Sequence, residues 1–175
     1  GSISDPFLLK GRRAGVIGLG RIGTRMAELL SGVGMEVVYT SRSSTDVRFT
    51  KVDLEELFAT SDVIMPTLAV NDQSSKLITT AHLDSIRPTS VLVGIGGMQK
   101  IWDASYIIDK VGKGEIAGYA FEGEGAQALE TYTGNILALP AMAWATGDSL
   151  RTLMEIWVEN ISAVAKGSAK NVVND

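Results

Sequence analysis

The feature that most constrains the fold is a glycine pattern at residues 18–23, which read Gly-Leu-Gly-Arg-Ile-Gly. In this spacing Gly18 allows a tight turn, Gly20 lets backbone N–H groups approach a pyrophosphate, and Gly23 lets a helix lie against a strand. An apolar strand precedes the pattern, and a helix at 21–32 and a second strand at 36–41 complete a β-α-β unit. We therefore predict that a dinucleotide binds at Gly18, Gly20, Arg21, Ile22 and Gly23. The alternative is a glycine-lined turn that has lost its ligand.

Further apolar strands alternate with helical patterns along the rest of the chain. After the first two, strands are predicted at 62–68, 90–95, 116–121 and 135–139, and helices at 53–60, 80–86, 103–112 and 148–166. Six such strands predict an α/β fold, a single doubly wound parallel sheet of the Rossmann type. Ligands of such sheets lie beyond the carboxyl ends of the strands. The apolar residues of the last helix are spaced as one wide buried stripe.

Length and composition exclude several classes of protein. With 175 residues we predict one dinucleotide-binding domain over 12–175, after a lead-in at 1–11 whose Gly-Ser start is typical of a cloning scar on a piece of a longer protein. A net charge of −4 and a pI near 5.1 argue against nucleic acid or an anionic membrane as partner, and we expect a cytoplasmic location. The absence of cysteine excludes disulfides and thiolate metal sites, and no metal-ligand spacing is seen.

The end of the second strand bears on the choice of nucleotide. An NAD-preferring fold places a carboxylate there to accept from the ribose 2′-hydroxyl. This chain instead has Thr40 and then Ser41, Arg42 and Ser43, which offer hydrogen-bond donors to a 2′-phosphate. We therefore predict that NADP(H) is preferred to NAD(H). The alternative is a solvated loop in which Arg42 faces water.

Nearly the whole chain resembles the cofactor domain of the D-isomer-specific 2-hydroxyacid dehydrogenases, closest to glyoxylate and hydroxypyruvate reductases. The segments that carry this resemblance are 11–23, 53–57, 61–64, 77–78, 86–88, 114–118, 158–160 and 171–174. The resemblance implies a homodimer formed through this domain. It also implies a second, catalytic domain in a longer parent chain.

The resemblance also implies a histidine as general acid/base, an arginine that clamps the substrate, and a glutamate that orients the histidine. The histidine belongs after Pro140, where this chain reads Pro-Ala-Met-Ala-Trp-Ala-Thr, so Ala141 takes its place. The arginine position falls on Gly97 or Met98, neither of which can bind a carboxylate by charge. At the glutamate position two alternatives stay open: Gln127 falls near its place, so the glutamate is lost, or Glu124 is the glutamate out of register. Glu122 falls where an aspartate belongs.

These substitutions leave three hypotheses about function. In the first, the chain is the binding domain of a relative that has lost the hydroxyacid chemistry, and none of its residues is catalytic. Alternatively it belongs to an oxidoreductase of altered reaction that uses Lys100, Glu122 or Glu124, or it is a non-catalytic dimerisation or interaction module. The only histidine, His82, lies on a short predicted helix away from the loops at the strand ends.

Overall fold

Seven parallel strands form one sheet in this computed structural model, which describes residues 8–75, 77–97, 100–123, 131–142 and 144–172. The strands are β1 (Arg13–Ile17), β2 (Glu36–Thr40), β3 (Thr50–Lys51), β4 (Val63–Pro66), β5 (Val91–Gly94), β6 (Gly118–Gly123) and β7 (Ile136–Pro140). Their order across the sheet is β3-β2-β1-β4-β5-β6-β7. Strands β2 and β3 therefore lie on one side of β1, and the strands from β4 onward lie on its other side. The carboxyl ends of β1 and β4 thus form a topological switch point.

Five helices accompany the strands in the described part of the chain. They are α1 (Arg21–Gly32), α2 (Leu54–Thr60), α3 (Thr80–Asp84), α4 (Ala104–Gly112) and α5 (Gly147–Ala165). The chain divides into two compact units, Gly1–Pro140 with the whole sheet and Ala141–Asp175 with α5. None of the helices in the described residues is long and apolar enough to cross a bilayer.

The core of the first unit lies on both faces of the sheet. Successive side chains of a strand point to opposite faces, and Val16 belongs to one apolar cluster with Ala27 of α1, whereas its neighbour Ile17 belongs to another. That second cluster includes Leu57 of α2 and Ile107 of α4. Helices thus cover both faces, and the predicted doubly wound parallel sheet is confirmed.

Two details differ from the sequence-based expectations. The sheet has a seventh strand, β3, which pairs with β2 at its edge; two polar residues, Thr50 and Lys51, carry too little periodicity to predict a strand. The predicted stripe of α5 is an apolar stripe but it is not buried. Its large side chains are exposed, among them Trp157 at 53%, Ile161 at 71% and Val164 at 64%.

Candidate functional site

The turn between β1 and α1 requires glycine at two positions. Gly18 has a φ of +92°, a left-handed conformation that glycine adopts without strain. A Cβ atom at Gly23 would clash with the carbonyl oxygen of Gly18 and lie 2.5 Å from Thr67 Oγ1. That hydroxyl donates a hydrogen bond of 2.5 Å to the Gly18 carbonyl. The turn is therefore shaped by its own glycines and held from the segment after β4.

The first turn of α1 presents backbone N–H groups that no side chain caps. Asp53, Asp103 and Thr146 each accept a hydrogen bond from the backbone N–H three residues on, at the starts of α2, α4 and α5. Helix α1 instead begins after Gly20, which makes no such bond and where an added Cβ would meet no atom within 4 Å. Open space in front of uncapped N–H groups, at the positive end of the helix dipole, fits a pyrophosphate.

A pocket of about 390 Å³ opens at the carboxyl ends of β1, β2 and β4, beside the switch point. We call it the switch-point pocket. Its lining residues are Ile17, Gly18, Leu19, Gly20, Thr40, Ser41, Arg42, Ser43, Leu54, Thr67, Leu68, Ala69, Asn71, Gln73, Ser74 and Leu77. It brings together five of the predicted binding residues, Gly18, Gly20, Ser41, Arg42 and Ser43. The other three, Arg21, Ile22 and Gly23, form the first turn of α1 and do not line it.

The three predicted residues after β2 differ in how they are held. Ser41 is half-buried, and its Oγ accepts a hydrogen bond of 3.2 Å from the N–H of Ser44, which closes the loop on itself. Arg42 is exposed, and its Nη1 donates to Gln73 Oε1 at 2.6 Å. Ser43 is exposed at the same wall. Among the described residues that line the pocket, none is an aspartate or a glutamate.

Two side chains that shape this pocket were missed by the sequence analysis, Thr67 and Gln73. The rule that ligands lie beyond strand ends indicated the whole segment at the end of the predicted strand at 62–68. It did not single out a side chain, because polar residues in a loop have no periodicity that separates a pocket wall from solvent. The contacts of Thr67 with the glycine turn and of Gln73 with Arg42 join segments that are 49 and 31 residues apart.

Comparison with known proteins shows which family this chain belongs to. The family described as "D-isomer specific 2-hydroxyacid dehydrogenase, NAD binding domain" matches residues 4–136. The chain belongs to this family. It is the NAD-binding domain of the family, and dinucleotide binding is thereby supported.

Known relatives and solved structures of similar fold match almost all of this chain. A glyoxylate reductase of Aeropyrum pernix is 30% identical over 95% of the chain and 52% of its own length. An acyclic imino acid reductase, solved with NADPH and D-Arg, superposes with a TM-score of 0.84 at 22% identity, over 96% of this chain and 55% of that one. A D-isomer specific 2-hydroxyacid dehydrogenase of Lactobacillus delbrueckii ssp. bulgaricus, complexed with NAD, superposes with a TM-score of 0.81 at 21% identity, over 96% of this chain and 57% of that one. This chain thus spans about half the length of the relatives it matches.

The positions that the resemblance assigned to catalysis carry few reactive groups in the described residues. Ala141 follows β7 and is exposed. Gly97 has a φ of +67° and no side chain to offer. Glu122, at the end of β6, accepts a hydrogen bond of 2.9 Å from the N–H of Gly96, and Lys100 is exposed. The remaining candidates Met98, Glu124 and Gln127 lie outside the described residues.

The histidine and the buried tryptophan have structural roles. Nδ1 of His82 accepts a hydrogen bond of 3.0 Å from the backbone N–H of Thr79 at the start of α3. Trp102 is 3% exposed and its Nε1 donates to the hydroxyl of Tyr119. Trp144, which follows β7, is exposed.

Proposed function

We propose that this chain binds NADP(H) in preference to NAD(H), as the cofactor domain of a family member that lacks the usual hydroxyacid dehydrogenase chemistry. The observation that carries the cofactor preference is Arg42 on the wall of the switch-point pocket, next to a β2 end without a carboxylate. An arginine can donate two parallel hydrogen bonds to a phosphate, whereas an acidic residue at this point would accept from an unphosphorylated ribose.

The glycine turn supplies the other half of the binding site in this proposal. The backbone N–H groups of the first turn of α1, at Arg21, Ile22 and Gly23, donate to the pyrophosphate, and the open space at Gly20 admits it. Gly23 has no side chain, so in this proposal it contributes through its backbone alone.

Substitution of Arg42 tests the cofactor preference. Hydrogen bonds to a charged group contribute about 1.5–3 kcal/mol, so NADPH should bind roughly ten- to a hundredfold more tightly than NADH. Arg42→Ala should remove most of this difference in affinity, because it weakens the binding of NADPH alone. Calorimetric titration of both cofactors into each protein measures it.

Arg48→Ala is the matched control. Arg48 lies in the same loop but pairs with Asp46 and Glu28 at 2.6 and 2.8 Å, and it does not line the switch-point pocket. Its loss should leave the ratio unchanged. Equal affinities for NADPH and NADH in the unmodified chain, or tighter binding of NADH, would contradict the proposal.

Loss of the ancestral chemistry is supported by the residues at the catalytic positions. A bound nicotinamide supplies or accepts a hydride, and a residue of the protein must move the accompanying proton. Ala141 has no proton to transfer, and Gly97 has no charge with which to hold a carboxylate. An altered reaction that uses Glu122 is less well supported, because that carboxylate already accepts from Gly96.

We further propose that the chain forms a homodimer through α5. Apolar residues three and four apart on this helix lie on one face, and Trp157, Ile161 and Val164 are more than half exposed. Exposed apolar side chains on one face of a helix are typical of an interaction site. A catalytic domain outside this chain, and the substrate that it would bind, stay predictions of the family resemblance.

A further inference from the structure

One hydrogen bond joins two segments that line the switch-point pocket. Nη1 of Arg42, in the segment after β2, donates to Oε1 of Gln73, in the loop after β4, at 2.6 Å. Both residues line the pocket, and they follow two different strands and lie 31 residues apart in the chain. The guanidinium is therefore held from outside its own loop.

The backbone beneath Gln73 is itself tied down by two neighbouring side chains. Asn71 Oδ1 accepts from the N–H of Gln73 at 3.0 Å, and Asn71 N–H donates to Ser74 Oγ at 2.9 Å. Ser74 is 7% exposed, and its hydroxyl donates to the carbonyl of Ala69 at 2.7 Å. An anchored partner lowers the entropy that Arg42 loses when it binds a ligand.

Gln73 holds Arg42 without neutralising it. In the same loop Arg48 forms ion pairs with Asp46 and Glu28, and hydrogen bonds from Arg48 lower the pKa of both carboxyl groups. Arg42 forms no ion pair with any described residue, and its partner is a neutral amide. Its whole positive charge therefore remains available to an anion.

We propose that Gln73 is a positioning residue for cofactor specificity, which holds the Arg42 guanidinium at full charge where the 2′-phosphate of NADP(H) binds. The inference rests on the proposed preference for NADP(H). A guanidinium has five N–H donors, and Gln73 takes one of them, so donors for two parallel bonds to a phosphate remain. A carboxylate in place of this amide would hold the guanidinium equally well but would offset its charge and repel the phosphate.

Two substitutions separate positioning from charge. Gln73→Met keeps the length of the side chain but removes the acceptor, and it should lower the NADPH/NADH affinity ratio roughly two- to tenfold, the range of one net hydrogen bond. Gln73→Glu keeps the acceptor but adds a negative charge, and it should lower the ratio roughly tenfold or more. NADH binding should change little in either variant, because NADH has no 2′-phosphate for Arg42 to contact.

Ser75→Glu is the matched control for Gln73→Glu. Ser75 is exposed in the same loop and does not line the pocket. The same added charge two residues away should leave most of the ratio intact.

In an Arg42→Ala background Gln73→Met should have no further effect on the ratio, since the two residues act through one contact. Calorimetric titration of each protein with NADPH and with NADH measures every ratio.

The outcomes distinguish this inference from the proposal on which it rests. If Arg42→Ala lowers the ratio and Gln73→Met does not, Gln73 has no positioning role and the NADP(H) preference stands. If Gln73→Met raises the ratio, Gln73 competes with the phosphate for Arg42, which also overturns the inference. If the unmodified chain binds the two cofactors equally, both fail together.

Discussion

The hydroxyl of Tyr119 is a buried ionisable group, and Tyr119 does not line the switch-point pocket. Tyr119 lies on β6 and is 2% exposed. Its hydroxyl accepts from Trp102 Nε1 at 3.1 Å, and its ring stacks on Phe121 with 4.8 Å between centroids. Burial, which penalises the charged phenolate, raises the pKa of Tyr119 to about 12 from an ordinary value of 10.0.

This pKa predicts a loss of stability in strong alkali. Between about pH 10 and 12 the folded state keeps the Tyr119 proton that the unfolded state has lost, so the free energy of unfolding falls as pH rises. Relative to the Tyr119→Phe variant, the free energy of unfolding of the unmodified chain should fall by about 1.4 kcal/mol per pH unit in this window. Urea unfolding at a series of pH values measures the difference. Phe121→Leu, which weakens the same cluster without removing an ionisable group, is the control, and a difference independent of pH would contradict the prediction.

At the scale of single elements, two glycines at the start of α1 differ in the space around them. Gly23 is buried and has no room for a Cβ atom, whereas Gly20 faces open space with a φ of −84° that alanine tolerates. The two glycines of one motif therefore have different physical reasons to be glycine.

Alanine substitution should reveal this difference. Gly23→Ala should lower the free energy of unfolding by about 1–3 kcal/mol or more, since the clash is with backbone. Gly20→Ala should leave stability nearly unchanged but weaken NADPH about tenfold or more, because the methyl group blocks the approach to charged-group hydrogen bonds. Gly32→Ala, at the far end of α1 where a Cβ meets nothing within 4 Å, should change neither. Denaturant unfolding measures the effect on stability, and calorimetry measures the effect on NADPH binding. Unchanged NADPH affinity in the Gly20→Ala variant would show that the pyrophosphate does not bind at this turn.

At the scale of the whole molecule, the exposed stripe of α5 predicts the oligomeric state. A homodimer should have twice the 18.6 kDa chain mass in light scattering at micromolar concentration. Ile161→Glu combined with Val164→Glu should give the mass of one chain, because two charges in an apolar interface are not solvated. Val47→Glu is the control, since Val47 is 96% exposed in the loop before β3. A single-chain mass for the unmodified protein would contradict the interface.

Catalysis is also a property of the whole molecule, and we expect that this chain does not reduce 2-keto acids such as glyoxylate or hydroxypyruvate. Loss of a general acid costs about 10²–10⁴ in rate, and loss of a charge-stabilising group costs on the order of 10²–10³. Ala141→His alone should not restore turnover, since Gly97 or Met98 offers no clamp for a carboxylate. Consumption of NADPH and NADH with a panel of 2-keto acids measures this, and turnover of about 1 per second would contradict it.

Much of the fold could be predicted because its signals are local. The glycine turn, the helix at 21–32 and the parallel strands follow from spacing and apolar runs within single segments. The stripe of α5 was also visible as a pattern, but its burial was wrongly predicted, since periodicity shows that a face is apolar without showing what covers it. The edge strand β3 was missed because two residues are too few for any period.

By itself the sequence determined the β-α-β core, the strand ends at which the switch-point pocket lies, and the alanine that follows Pro140, because side-chain identity and local periodicity do not depend on distant contacts. Only the tertiary structure decided that Gln73 reaches Arg42 and that Thr67 holds the glycine turn. Both contacts exist because the order of strands in the sheet brings β4 beside β1, with β2 on its other side. The loops that follow these three strands meet at one pocket, although long stretches of chain separate them.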